Sequence, residues 1–99
     1  MSKIETPKVS EILLKEFMDP LNVSAYKLAK GIDVPISRIQ DILHDRRKIT
    51  AETSIRLARY FGVSDEYFIK LQSEIDIRET KEKLEDNLLK IKPLVTRKV

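Results

Sequence analysis

The sequence predicts an all-α protein of five short helices with a helical extension at its C-terminal end. Three observations support this. Glycine and proline are scarce, at 2 and 4 of 99 residues, so few positions interrupt a helix. Apolar residues recur at three- and four-residue steps, and no β-branched run alternates with period two. Capping and stopping residues fall at the ends of the periodic stretches. An apolar content of 41% against 35% charged residues favours one folded domain over a disordered chain. The domain is read as residues 7–75 and the extension as residues 76–99.

Residues 1–6 are a polar lead-in. Pro7 then starts a helix to about Met18, with Val9, Ile12, Leu13 and Phe17 on its inner face and Leu14 off that stripe. Asp19-Pro20 ends it, because proline disfavours the α conformation in the residue before it. Ser24 caps the second helix, whose inner face is Leu28, Ala29 and Ile32. Pro35 suits the first turn of the third, where Ile39, Ile42 and Leu43 face inward. Thr50 caps the fourth helix, with Ile55, Leu57, Ala58 and Phe61 apolar and Gly62 as its stop. Ser64 caps the fifth, with Asp65 and Glu66 in its positive first turn and Tyr67, Phe68, Leu71 and Ile75 as its core stripe.

Beyond Ile75 charged residues dominate, and apolar ones return only as Leu84, Leu88, Ile91 and Val95. Pro93 sets the end of helix near Lys92. So narrow a stripe on a charged segment needs a cover: a second protomer, a partner protein or the domain's own surface.

The second and third helices, joined by a tight turn with the small Ala29 at their crossing, read as a helix-turn-helix. In that motif the second helix lies in the DNA major groove; an ordinary helical hairpin is the alternative. Opened by Pro35, the reading helix turns Ile36, Ser37, Arg38, Gln40, Asp41 and His44 outward. Ile36 suits a thymine methyl, Gln40 adenine N6/N7 and Asp41 cytosine N4. Arg38 has three candidate partners: guanine O6/N7, a phosphate, or Asp41 three residues on. Ser24 and the free amides of its helix form one phosphate clamp, with Tyr26 and Lys27 beside it. Arg46, Arg47 and Lys48, the densest basic cluster, are a second candidate clamp, with a solvated surface loop as the alternative.

Other chemistries find little support. There is no cysteine, so neither a disulfide nor a thiolate metal site is available. One histidine, His44, builds no ordinary zinc site, and two glycines build no phosphate-cradling loop. No enzyme activity, metal or cofactor is expected. The chain lacks the roughly 18–20 consecutive apolar residues of a membrane span and the apolar core of a signal peptide. A cytoplasmic location is therefore expected. The net charge of +3 permits nucleic acid without demanding it.

Residues 7–72 resemble the Xre/lambda-repressor-type helix-turn-helix family, and most nearly its HigA-type (VapI-like) antitoxin branch. The resemblance rests on residues 14–30, on Val34-Pro35-Ile36-Ser37-Arg38-Ile39, on the run from Arg46 to Gly62, and on Ser64 to Gln72. It implies a five-helix lambda-repressor-like domain that dimerises, binds a palindromic double-stranded DNA operator and autoregulates a two-gene operon. It also implies a HigB-like toxin partner, an mRNA-cleaving RNase, and places Ile36, Ser37 and Asp41 at base-reading positions. A stand-alone Xre-family regulator without a toxin is the alternative. The chain departs from the family at Asp33, where glycine is usual in the turn, at Tyr67-Phe68, commonly Phe-Trp, and in the glycine-free loop Asp45–Lys48.

Overall fold

A computed structural model describes residues 6–95. The expectations for residues 1–5 of the lead-in and 96–99 of the extension lie outside the described residues. Five helices follow in order: α1 (Val9–Ile12), which runs on into a π-helical turn (Leu13–Met18), α2 (Ala25–Ile32), α3 (Ile36–Leu43), α4 (Ala51–Phe61) and α5 (Tyr67–Leu88). No strand occurs among the described residues.

The first helix is one turn of α-helix followed by a wider turn. The N–H of Asp19 donates to the carbonyl of Leu14, five residues back, as in a π-bulge. With that shift Met18 joins Leu13 in the core, and both are fully buried. A strict 3.6-residue period leaves Met18 off the inner face, which is why the sequence pattern passes over it. The helix begins at Val9 rather than Pro7, with the Glu11 carboxylate accepting from the N–H of Lys8. Val9 is buried as expected, whereas Ile12 and Phe17 are only partly covered.

Phe17 joins the two ends of the core. Its ring lies 5.2 Å from Phe61, 5.0 Å from Phe68 and 5.7 Å from Tyr67, so α1, α4 and α5 meet in one cluster of tilted and edge-on rings. Leu28, Ile39, Leu57 and Phe68, all inaccessible to solvent, form the centre. At Gly31 the ring of Tyr60 lies across the helix where a Cβ would stand. Glycine there is explained by close approach of α4 to α2 rather than by backbone conformation.

Several boundaries depart from the sequence reading. Pro35 precedes α3 as its N-cap residue, with an extended ψ of 145°, instead of sitting in the first turn. Ser64 does not cap α5: its carbonyl accepts from Tyr67 N–H in a turn, and the helix opens at Tyr67. Ile55 faces solvent at 43% exposure, and the buried residues of α4 include Thr53 and Ser54 instead. α5 ends at Leu88, short of Lys92. It also runs unbroken through position 75, so the domain and its extension share one helix of 22 residues, about 33 Å long.

Ser54 explains why a polar residue belongs in that core. Its hydroxyl donates to the carbonyl of Asp65 at 2.7 Å and accepts from the N–H of Ile69 at 3.0 Å. The second bond satisfies one of the amides that the first turn of α5 leaves without an intrahelical acceptor. Ser54 thus caps α5 from another helix, in place of the local cap expected at Ser64. Replacing Ser54 by Ala strands a donor and an acceptor, and should lower stability by about 1–3 kcal/mol. Ile55→Ser should change it by less than about 0.5 kcal/mol. Urea unfolding of both variants checks this; the reverse ranking would contradict the inward position assigned to Ser54.

Candidate nucleic-acid interface

The helix-turn-helix is held by backbone bonds at its turn. Asp33 adopts the left-handed conformation that ends α2, at φ +59°, an arrangement that aspartate tolerates better than most residues. The N–H of Val34 returns to the carbonyl of Ala29 at 3.0 Å. From α4, the guanidinium of Arg56 donates to the carbonyl of Ile32 at 2.8 Å. The last turn of α2 therefore gains a cationic partner at its negative end. At the other end the Ser24 hydroxyl accepts from the N–H of Lys27 at 3.0 Å, the cap expected from sequence.

On α3, Ile36, Ser37, Gln40 and His44 are exposed, and Ile39 and Ile42 are buried. Pro35 is exposed at the helix entrance. Arg38 is drawn toward α4 and half-buried: its guanidinium lies 3.7 Å from Glu52, and its Nε is buried without a partner. Asp41 is paired instead with Arg46, whose Nε and second nitrogen each lie 3.0 Å from Oδ1. The Arg38–Asp41 pair that spacing allows is thus replaced by two others, because α4 and the following loop bring better-placed partners. Ser24, Tyr26 and Lys27 are exposed at the start of α2, and Lys30 lies over the Tyr26 ring at 5.6 Å.

The loop after α3 has a defined shape. Asp45 sits at φ +61°, and its carboxylate accepts from the Ser10 hydroxyl at 2.7 Å with Lys8 at 3.8 Å. The amides of Arg46 and Arg47 both donate to the carbonyl of Asp41. Lys48 donates to Asp76 of α5 at 2.9 Å, and buried Gln72 binds both Asp76 and the N–H of Ile49. The three basic residues are therefore not equivalent. Arg46 and Lys48 are held by carboxylates, and Arg47 makes no ion pair among the described residues. Neither Gln72 nor Asp76 was singled out from sequence; the only signal was a polar residue one step along the α5 stripe from Leu71.

Among the described residues no group of His, Asp and Glu is arranged to hold a metal ion, and no helix is long and apolar enough to cross a membrane.

Comparison with known proteins fits this geometry. A helix-turn-helix family model matches residues 14–68. Virulence-associated protein I of Dichelobacter nodosus is 40% identical over 78 residues, covering 77% of this chain and 72% of its own. The chain belongs to the HigA/VapI-type branch of the helix-turn-helix family. A structure described as Pseudomonas aeruginosa antitoxin HigA with the higBA promoter superposes on this helix-turn-helix protein with a TM-score of 0.84. It has 30% identity, over 92% of this chain and all of that one. An uncharacterised HTH-type transcriptional regulator of Haemophilus influenzae is 32% identical over 91 residues, 90% of this chain and 85% of its own.

Glu52 ties the reading helix to α4. A hydrogen bond from Arg56, with the charges of Arg38 and Arg56, holds its carboxyl below the ordinary 4.5. A carboxyl lowered on folding stabilises the native state above its unfolded pKa, and that contribution is lost as pH falls through the folded value. Glu52→Gln should therefore melt below the parent near pH 7, and the two should converge as pH falls through and below the ordinary carboxylate range. An unchanged gap across that range in thermal melts would show that Glu52 does not act through its charge.

Proposed function

We propose that this protein is the antitoxin of a type II toxin–antitoxin pair. It binds a palindromic operator in its own upstream DNA as a homodimer, represses its operon, and neutralises a HigB-like mRNA-cleaving toxin in the cytoplasm. The observation that supports this most directly is the exposed face of α3, with Ile36, Ser37 and Gln40 open to solvent, in a fold matched at 0.84 by an antitoxin solved with its promoter. A second reading, a transcriptional regulator without a toxin, is favoured by the similarity to the H. influenzae protein. Rescue of growth on co-expression with the product of an adjacent small reading frame separates the two.

In the proposed complex, α3 enters the major groove and Ser37 and Gln40 read bases. The amides at the start of α2, next to Ser24, Tyr26 and Lys27, bind one phosphate. Arg47 binds another, being the cation of the second clamp that no carboxylate holds. Lys48 must leave Asp76 to reach DNA, and Arg46 must leave Asp41. Asp41 can itself accept from cytosine only after releasing Arg46.

Mobility shifts on the upstream region should show affinity falling by roughly 10³ between about 50 and 200 mM salt if ~6 phosphates are contacted. Arg47→Ala should weaken binding to every sequence alike, and more than Lys48→Ala. Ser37→Ala should alter preference at particular bases by about 1–3 kcal/mol. Absence of any shift at low salt would refute the DNA-binding proposal, and sequence-selective loss in Arg47→Ala would refute the division of roles.

A further inference from the structure

We propose that Ser10 of α1, acting through Asp45, is a positioning residue of the DNA interface, because it fixes the loop that presents Arg47 to a phosphate. The proposal rests on the DNA-binding reading of the preceding section and deepens it. Asp45 closes α3 in the left-handed conformation, at φ +61°. Its N–H donates to the carbonyl of Ile42, and the N–H of Arg46 reaches back to the carbonyl of Asp41 at 2.7 Å. Glycine is the usual residue in this helix ending, because a Cβ is crowded there. A side chain at this position needs a compensating contact, and Asp45 has one. Its carboxylate accepts from the Ser10 hydroxyl at 2.7 Å, from a residue 35 positions earlier in the chain. Ser10 is itself buried, at 6% exposure.

Packing does not hold this loop. Asp45, Arg47 and Lys48 are exposed, and they line a cavity of about 180 Å³ between α1, α3 and α5. The loop is held beside that cavity by polar bonds at its two ends. Ser10 takes Asp45 at one end, and at the other Gln72 of α5 accepts from the N–H of Ile49. Between these anchors Arg46 and Lys48 turn to Asp41 and Asp76. Arg47 is left as the cation without a carboxylate among the described residues. A loop already ordered in the free protein loses less conformational freedom on binding. Without the Ser10 tether the same loop must be ordered as the complex forms, and the contact of Arg47 weakens by that cost.

Two substitutions at one position isolate the tether. Asp45→Asn and Asp45→Gly both remove the charge, and both tolerate the left-handed turn. Only asparagine keeps an oxygen that accepts from Ser10. In mobility shifts on the upstream duplex, Asp45→Asn should bind at least as tightly as the parent. Asp45→Gly should bind about three- to tenfold more weakly than Asp45→Asn, the cost of ordering the loop on association. Ser10→Ala breaks the same bond from the α1 side and should weaken binding similarly. In an Arg47→Ala background the two Asp45 variants should bind alike, because no cation is left for the loop to present. Salt dependence separates positioning from contact. Arg47→Ala should lower the slope by about one, whereas Asp45→Gly should keep the slope of Asp45→Asn.

Circular dichroism on the free proteins should show equal helix content. Hydrogen exchange at the amides of Arg46 and Arg47 should quicken in Asp45→Gly and Ser10→Ala and stay at the parent rate in Asp45→Asn. Equal affinity of the two Asp45 variants overturns the proposal. So does a loss in Asp45→Gly that persists undiminished without Arg47, or one accompanied by a slope lowered by about one. A parent that shifts no DNA overturns the DNA-binding reading and this proposal with it. A parent that shifts DNA while the two Asp45 variants bind alike overturns the proposal alone.

Discussion

Short helices expose unpaired backbone groups at both ends, and in this domain α4 supplies partners at two of them, the start of α5 and the end of α2. Three of its side chains, two residues apart in sequence, reach three other helices. Glu52 pairs with Arg38 of α3, Ser54 bonds the entrance of α5, and Arg56 donates to the end of α2. α2 and α3 have eight residues each, too few to be stable alone in water. Their relative angle therefore depends on packing and on these polar bonds together. Because Ser54 is fully buried, its bonds carry the larger penalty if broken. The Glu52 pairs are exposed and contribute less.

The same economy of partners shapes the electrostatics of the reading surface. Arg38, Arg46 and Lys48 are each matched to a carboxylate, Glu52, Asp41 and Asp76 respectively. In the proposed complex each of these cations trades its carboxylate for a phosphate. A surface with internal counter-ions attracts DNA less indiscriminately than its count of Lys and Arg suggests, consistent with a net charge of only +3. Lys48 also links the loop after α3 to α5 through Asp76 and Gln72, so the reading helix and the projecting helix share a hydrogen-bonded base.

Much of this was legible in the sequence because it depends on local rules. The caps at Ser24 and Thr50, the left-handed stops at Asp33 and Gly62, and the inward faces of α2 and α3 all follow from neighbours within four residues. What was not legible depends on contacts from elsewhere in the chain. Met18 is buried because a π-turn shifts the helical period, and Ile55 is exposed because Ser54 takes the inward position to cap α5. The partner of Arg38 was not among the three that sequence offered, because nothing in its own helix reveals Glu52 fourteen residues away. Of the six residues expected outward on α3, Ile36, Ser37, Gln40 and His44 are exposed, whereas Arg38 and Asp41 are partly covered in ion pairs and Leu43, expected inward, is only partly buried. The basic loop was seen as a single clamp, although long-range carboxylates divide it.

The central claim is that the open face of α3, flanked by the start of α2 and the loop after α3, is where this protein meets DNA. Amide chemical-shift mapping during titration with duplex from its own upstream region tests that claim most directly. The account predicts the largest changes within residues 24–27, 36–40 and 46–48, with smaller ones at Gln72 and Asp76 as Lys48 is released. Changes concentrated on residues 77–88 of α5, with those three segments unmoved, would contradict it.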